Sequence, residues 1–271
     1  MATPSAGYRT KDGKRVPSVT TIIGRFKDSG ALIKWGYSQG REHERIQSQN
    51  HVIEHFRELV PKLGGDALAV AEMCALMFGK NWEVRELTPA PGSLYEVTEK
   101  AANAGTIAHD LIEQHVLQGG VVQTEVLPQH QKAEKSVLDR AWNSYAQFQR
   151  WLAQTRIQIT HTEMGLVSEK HRFGGTLDGI GVDADGKRVL IDWKTSNAVY
   201  SDYLIQLAAY GLLLDECQPE LAPQGFHLLR VAKESADFGH LYWGELDEQK
   251  EAFLLMRRLY ELDYITKKRV G

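Results

Sequence analysis

The run Val189-Leu190-Ile191 leads directly into Asp192, Trp193 and Lys194. A carboxylate and an ammonium group at the end of what reads as a buried strand are costly unless each has a partner. A second aspartate, Asp178, lies in "GGTLDGIG", where glycines 174, 175, 179 and 181 permit close backbone approach. The Asp185-Gly186 pair is a hairpin-turn signal, and it places Asp178 and Asp192 side by side on neighbouring strands. Adjacent carboxylates repel unless a cation sits between them. Oxygen ligands of this kind suit Mg²⁺ or Mn²⁺, as one ion or two. Lys194, two residues beyond Asp192, shares its strand face. There it can orient a water, ease its deprotonation, or neutralise charge growing on a phosphate. That is the chemistry of phosphodiester hydrolysis. Alone, D-x-K is as readily a surface ion pair.

Three further residues carry polar chemistry on helical patterns. His109, in "AGTIAHDLIEQH", falls at the margin of the apolar stripe Ile107, Ala108, Leu111 and Ile112, and Glu113 stands one turn on from it. A lone histidine at such a margin is commonly a satisfied boundary residue. Gln206 and Tyr210 are four residues apart in the otherwise apolar "YLIQLAAYGLL". By themselves they read as mild amphipathicity, with a tyrosine at home in a core.

The elements that must position these groups follow from periodicity. Residues 31–86 are mostly helical, "TPAPGS" interrupts, and helices fit 94–120 and 128–155. The pattern then turns to strands at "RIQITHTEMGLVS", "FGGTLDGIGV" and "KRVLIDWK". A helix over "YLIQLAAYGLLLDEC", strands at "GFHLLRVAK" and "HLYWGEL", and a helix over "DEQKEAFLLMRRLYELDYIT" complete the chain. The expected class is α/β or α+β, with a mainly helical region over 1–92 packed on a core over 93–271.

Composition narrows the function. The 271 residues are 42% hydrophobic and 25% charged, with a formal charge of −3 and a sequence pI near 6.4. This argues against coating nucleic acid through bulk charge, and leaves room for a nucleic-acid enzyme whose acidic cluster offsets a basic groove. Cys74 and Cys217 give neither a disulfide framework nor four thiolates. No apolar run reaches membrane-spanning length, and the start lacks a signal-peptide core. The expectation is a reducing cytoplasmic setting with no membrane partner.

In order along the chain stand G-T-x-x-H, G-T-x-D-G, I-D-x-K-T and Q-x-x-x-Y. This series resembles the RecB-type branch of the PD-(D/E)XK nuclease superfamily, and "VPSVTTII" with "LIKWGYSQG" resembles its phage and mitochondrial genome maintenance exonucleases. The strong likeness runs over 105–210, the weaker one back to residue 16. It implies a restriction-endonuclease-like core of mixed β-sheet flanked by helices. It also implies His109, Asp178 and Asp192 as metal ligands with the Trp193 carbonyl, Lys194 as the catalytic lysine, and Gln206 holding the lysine or the water. Tyr210 would approach DNA. Glu163 resembles a further acidic ligand, a role for which Glu113 competes. Relatives that hold an iron–sulfur cluster use four cysteines, so no cluster is expected here. No Walker-type loop occurs, so no ATP chemistry is expected in this chain.

The leading expectation is a metal-dependent DNA exonuclease acting on single strands or free ends in replication, recombination or repair, with partner proteins from those processes. Alternatives are an endonuclease of the same fold and a catalytically silent DNA-binding module. Thr195 and Ser196 follow Lys194 where a backbone or hydroxyl contact to DNA would be useful. Lys34, Trp35 and Tyr37 could stack on bases or contact phosphates. Trp35 reads equally well as a helix core anchor.

Overall fold

The computed structural model describes residues 7–27, 30–62, 67–79, 94–120, 128–196 and 198–270. The chain divides into two compact units, one of residues 1–27 with 101–271 and one of residues 28–100. The division differs from a boundary at residue 92, because the N-terminal residues belong with the core. Their reason is long-range bonding. A small hairpin of β1 (Tyr8–Arg9) and β2 (Arg15–Val16) leads to a bridge between Ser18 and Gly174, with the Gly174 N–H donating to the Pro17 carbonyl at 3.0 Å.

Helix α1 (Val19–Phe26) follows, its first turn capped by the Ser18 hydroxyl, which accepts from the Thr21 N–H. The second unit holds α2 (Gly30–Leu59), a 3₁₀ turn, α3 (Ala67–Phe78) and the start of α4 (Leu94–Leu117). Its described core is small, with buried Val60 and Cys74 against Phe56 and Val70.

Beyond α5 (Lys135–Thr155) lie β3 (Gln158–Ser168), β4 (Phe173–Val182), β5 (Arg188–Lys194), α6 (Ser201–Cys217), β6 (Phe226–Val231), β7 (Phe238–Trp243) and α7 (Asp247–Val270). The five strands form one sheet in sequence order. All pairs are antiparallel except β5 with β6. A parallel pair needs a crossover, and α6 provides it.

The β4–β5 turn is built as its sequence suggests. Asp183 Oδ1 accepts the backbone N–H groups of Asp185 and Lys187, both at 2.9 Å, and Gly186 takes a φ of 79°. Strand β5 is central and buried on both faces, which accounts for its unbroken apolar run. Val189, Ile191 and Trp193 pack with α4 and α5, whereas Leu190 packs with α1, α6 and α7. By the alternation of a strand, Asp192 and Lys194 share the α6 side.

Candidate active site

Strands β4 and β5 stay paired only as far as Gly179 opposite Ile191. Asp178 and Asp192 are the next residue on each strand, where the two diverge. In the fork, Asp178 Oδ2 accepts the backbone N–H of Trp193 at 3.0 Å. The carboxylate thus takes the place of a ladder acceptor and satisfies a buried donor.

The same point is a kink. Gly175 and Gly179, four residues apart, should face one side of a regular strand. A Cβ at 175 would lie 2.7 Å from Tyr210 Cε1, yet one at 179 would lie 2.8 Å from Trp193 Cζ3. Those two rings belong to opposite cores. Strand β4 therefore reverses its facing at Asp178. Its neighbour in β3 does likewise. Thr162 pairs Gly179 and Met164 pairs Leu177, which leaves Glu163 across from Asp178, with a left-handed φ of 49°. A non-glycine residue held there in mid-strand is strained, and such strain persists where it aims a side chain.

The kink brings Glu163, Asp178 and His109 together, with one ligand atom from each lying within 4.8 Å of the others. Glu163, not Glu113, completes this set among the described residues. The Glu113 charge still acts on Glu163, whose carboxyl is raised first by burial and then by Glu113 and Asp110. Asp178 is fully buried, and its pKa is pushed well above the usual carboxylate range by burial and then by Asp192. Its Oδ1 has no hydrogen-bond partner among the described residues.

Asp192, expected in the same ligand set, lies outside that triad and is engaged by Lys194. The ammonium sits 2.8 Å from Oδ1 and 2.7 Å from Oδ2, with hydrogen-bond geometry to Oδ1. Burial raises the Asp192 carboxyl against the pull of Lys194. For Lys194, burial acts downward, but the charges of Asp192 and Asp178 win and its pKa rises.

His109 is tied from below. The Trp193 indole N–H donates to His109 Nδ1 at 3.1 Å, while the indole packs against Phe148. An indole only donates, so Nδ1 is the bare nitrogen of a neutral ring. Burial holds the His109 pKa well below its ordinary value, which keeps the imidazole neutral as a ligand must be. Whichever nitrogen a cation takes, the bond to Trp193 is given up.

These donors fit a divalent ion. They comprise the carboxylates of Glu163 and Asp178, the latter with an orphaned buried oxygen, and a neutral imidazole, with the Asp192 carboxylate nearby, an oxygen-rich set of the kind Mg²⁺ and Mn²⁺ prefer.

Beside Lys194 opens a cavity of about 330 Å³. Its polar wall includes Tyr8, Ser18, Thr20, Thr176, Lys194 and Gln206. Gln206 Nε2 donates to the Tyr210 hydroxyl at 2.7 Å, one turn along α6. Tyr210 is 1% exposed, so its ring is a core element, and the residue also borders the cavity. Burial raises its pKa well above the usual phenol value. Tyr8 bonds Thr176 across the cavity wall at 2.8 Å, and the Tyr203 ring lies 5.4 Å from Lys194 Nζ.

Thr195 packs where G-T-x-x-H begins. A Cβ at Gly105 would lie 2.8 Å from Thr195 Oγ1, so only glycine lets α4 approach the end of β5 so closely. The Ser196 hydroxyl donates within its own turn to the Ala198 carbonyl at 2.8 Å. The side chains of Lys34 and Trp35 lie outside the described residues, and Tyr37 is exposed. Sequence patterns did not reveal Tyr8, Thr176 or Tyr203. The "VPSVTTII" segment that supplies Ser18 and Thr20 did stand out.

Comparison with known proteins places this geometry. The structure is similar to an alkaline exonuclease from Laribacter hongkongensis, at 14% identity and a TM-score of 0.31 over 63% of this chain and 91% of that one. A candidate exonuclease from Eubacterium rectale aligns at 14% identity and a TM-score of 0.37, over 71% of each chain. Likenesses of this size do not decide function. No curated protein matches the sequence. Among the described residues no helix is long and apolar enough to cross a membrane. A family model does match residues 67–266, which hold the forked carboxylates, the lysine and the histidine, and on that match the chain belongs to the PD-(D/E)XK nuclease superfamily.

Proposed function

We propose that this nuclease-family chain is a divalent-metal-dependent deoxyribonuclease that removes nucleotides from DNA ends, single-stranded ends foremost. The observation that carries the reading is the fork itself. Two buried carboxylates, one with an orphaned oxygen, stand next to a lysine on the wall of a cavity of about 330 Å³. A metal ion bound there supplies Lewis-acid polarisation of the phosphate and a more acidic water.

His109, Glu163 and Asp178 would hold the ion, with Asp192 and the Trp193 carbonyl as further donors. Lys194, now neutralising Asp192, turns its ammonium to the non-bridging phosphate oxygens and offsets the charge that grows there. Gln206 stays close to Lys194 and orients the water, its own amide fixed by the Tyr210 hydroxyl. Tyr210 thus acts through Gln206 rather than by stacking on bases. Thr195 and Ser196, past the end of β5, take the phosphate following the scissile one. Ser18 and Thr20, at the start of α1, offer hydroxyls to the end of the strand. The end preference follows the resemblance of the motif series to phage and mitochondrial genome maintenance exonucleases.

The test incubates the protein with end-labelled linear and covalently closed circular DNA, single- and double-stranded, with Mg²⁺, Mn²⁺ or chelator. Mononucleotide release from linear strands with metal is expected, and none from circles. Cutting of circles would establish the endonuclease reading instead.

A further inference from the structure

Helix α7 is amphipathic twice over. One face carries buried Phe253, with Met256 and Tyr260 packed on the core shared with α1 and α6. The opposite face exposes a second apolar stripe: Leu255 at 64%, Leu259 at 51%, Leu262 at 40% and Ile265 at 41%. Steps of four, three and three residues keep these side chains within about a third of the helix circumference, an arc that also holds Arg258, paired along the helix with Glu261 at 2.9 Å. Scattered exposed leucines need no explanation, but four in register on one helix face mark a contact surface.

The charges at the two ends of the stripe say what covers it. At its N-terminal end, on the same face, stand Glu248 and Glu251, and at its C-terminal end stands Arg269. No ion pair joins Glu251 or Arg269 to another of the described residues. Glu251 and Arg269 are eighteen residues apart, about 27 Å along the axis at 1.5 Å per residue.

We infer that α7 pairs antiparallel with α7 of a second copy of this chain, about a two-fold axis near residue 260. In that register Leu259 meets Leu262 of the second copy, Leu255 meets Ile265, and Glu251 meets Arg269, each contact occurring twice. An isologous two-fold contact requires a surface complementary to itself, and a helix acidic at one end and basic at the other has that property only when antiparallel. Parallel pairing would set acid on acid and base on base. The contact rests on four aliphatic side chains per copy, near the low end of specific interfaces at about 1,200 Å², so a micromolar dimer is expected. The inference is independent of the nuclease reading.

Sedimentation velocity on the full chain from about 1 to about 200 µM spans the affinity such an interface gives. Monomer throughout overturns the inference. With dimer seen, Leu259→Glu should weaken it by about 100-fold or more, since the residue is central and present twice. Glu251→Arg alone, or Arg269→Glu alone, should weaken it several-fold, by about 3- to 30-fold for two exposed pairs. The double variant carrying both should return to within about threefold of the parent. Failure of the exchange to restore association would overturn the antiparallel register. Circular-dichroism melts of each variant, unchanged from the parent, guard against misfolding.

Discussion

Replacing Asp178 by Asn should stabilise the metal-free protein while destroying what the site is for. Asp178 is fully buried, one oxygen has no partner, and Asp192 is its neighbour. Ionising it therefore costs free energy that Lys194 and the Trp193 N–H return only in part. Asn keeps an oxygen for the Trp193 N–H and presents an amide in place of the orphaned, negatively charged oxygen. Exchanging an unfavourably buried charge for a neutral group gains about 1–2 kcal/mol, within the range seen when buried ionic groups are replaced. For a chain of this size that corresponds to a rise of about 2–8 °C in Tm.

The pH dependence has a definite sign. The folded-state pKa of Asp178 is raised, so below its unfolded value of about 4 the acid is neutral in both states and costs nothing. The penalty grows as pH rises from there through the folded pKa. The advantage of Asn should therefore vanish near pH 4 and be full at the highest pH. With Mn²⁺ the order inverts. The parent gains about 2.7 kcal/mol at one hundred times its dissociation constant, and the variant gains little. Thermal melts of both proteins in chelator and in Mn²⁺ check this. A variant less stable than the parent in chelator, or one that keeps the full Mn²⁺ shift, refutes the reasoning.

Gly175→Ala places a methyl group 2.7 Å from the Tyr210 ring, which overpacking makes worth about 1–3 kcal/mol of stability. Because Tyr210 fixes Gln206, kcat should fall further than global stability explains, as read by activity and denaturant midpoints on the same samples. Trp193→Phe removes the indole N–H from His109 without removing the aromatic packing. By isothermal titration its Mn²⁺ affinity should hold or rise, by up to about tenfold for the value of one hydrogen bond. A tenfold loss would mean that Trp193 supports the ligand set instead of competing for it. On the sheet edge, His227 and His240 share a hydrogen bond of 2.8 Å, and burial followed by the His240 charge lowers the His227 pKa to about 4. A depressed histidine binds its proton more readily when unfolded, so stability should fall by about 2–3 kcal/mol as pH drops from about 6.5 to 4. Urea midpoints for the parent and His227→Phe across that window should show a flatter slope in the variant.

The sequence made much of the site legible because its parts are local. The Asp185-Gly186 turn set the β4–β5 register, and that register put Asp178 beside Asp192. Strand alternation put Lys194 on the Asp192 face, and their contact at 2.8 Å follows. What stayed hidden depends on non-local geometry. Spacing could not choose Glu163 over Glu113, because the choice rests on a left-handed φ in β3 and a reversal of facing in β4. Nor could it find Tyr8, whose bond to Thr176 spans 168 residues. Tyr210 reads as a core tyrosine on helical spacing and is buried against β4, whereas its hydrogen bond with Gln206 is not visible in Q-x-x-x-Y. Sequence patterns group residues 1–27 with a mainly helical region over 1–92, since their pairing with Gly174 is long-range and leaves no local signal.

The central claim is that metal binding and phosphodiester cleavage reside in this fork and are carried by different residues. The direct measurement takes Mn²⁺ binding by titration calorimetry and cleavage of a labelled single strand under single-turnover conditions, on the same preparations of the parent, Asp178→Asn and Lys194→Ala. Asp178→Asn should lose both, and Lys194→Ala should bind Mn²⁺ within about tenfold of the parent yet cut at least about 100-fold more slowly. Cleavage by Lys194→Ala at the parent rate, or undiminished Mn²⁺ affinity in Asp178→Asn, would contradict the account.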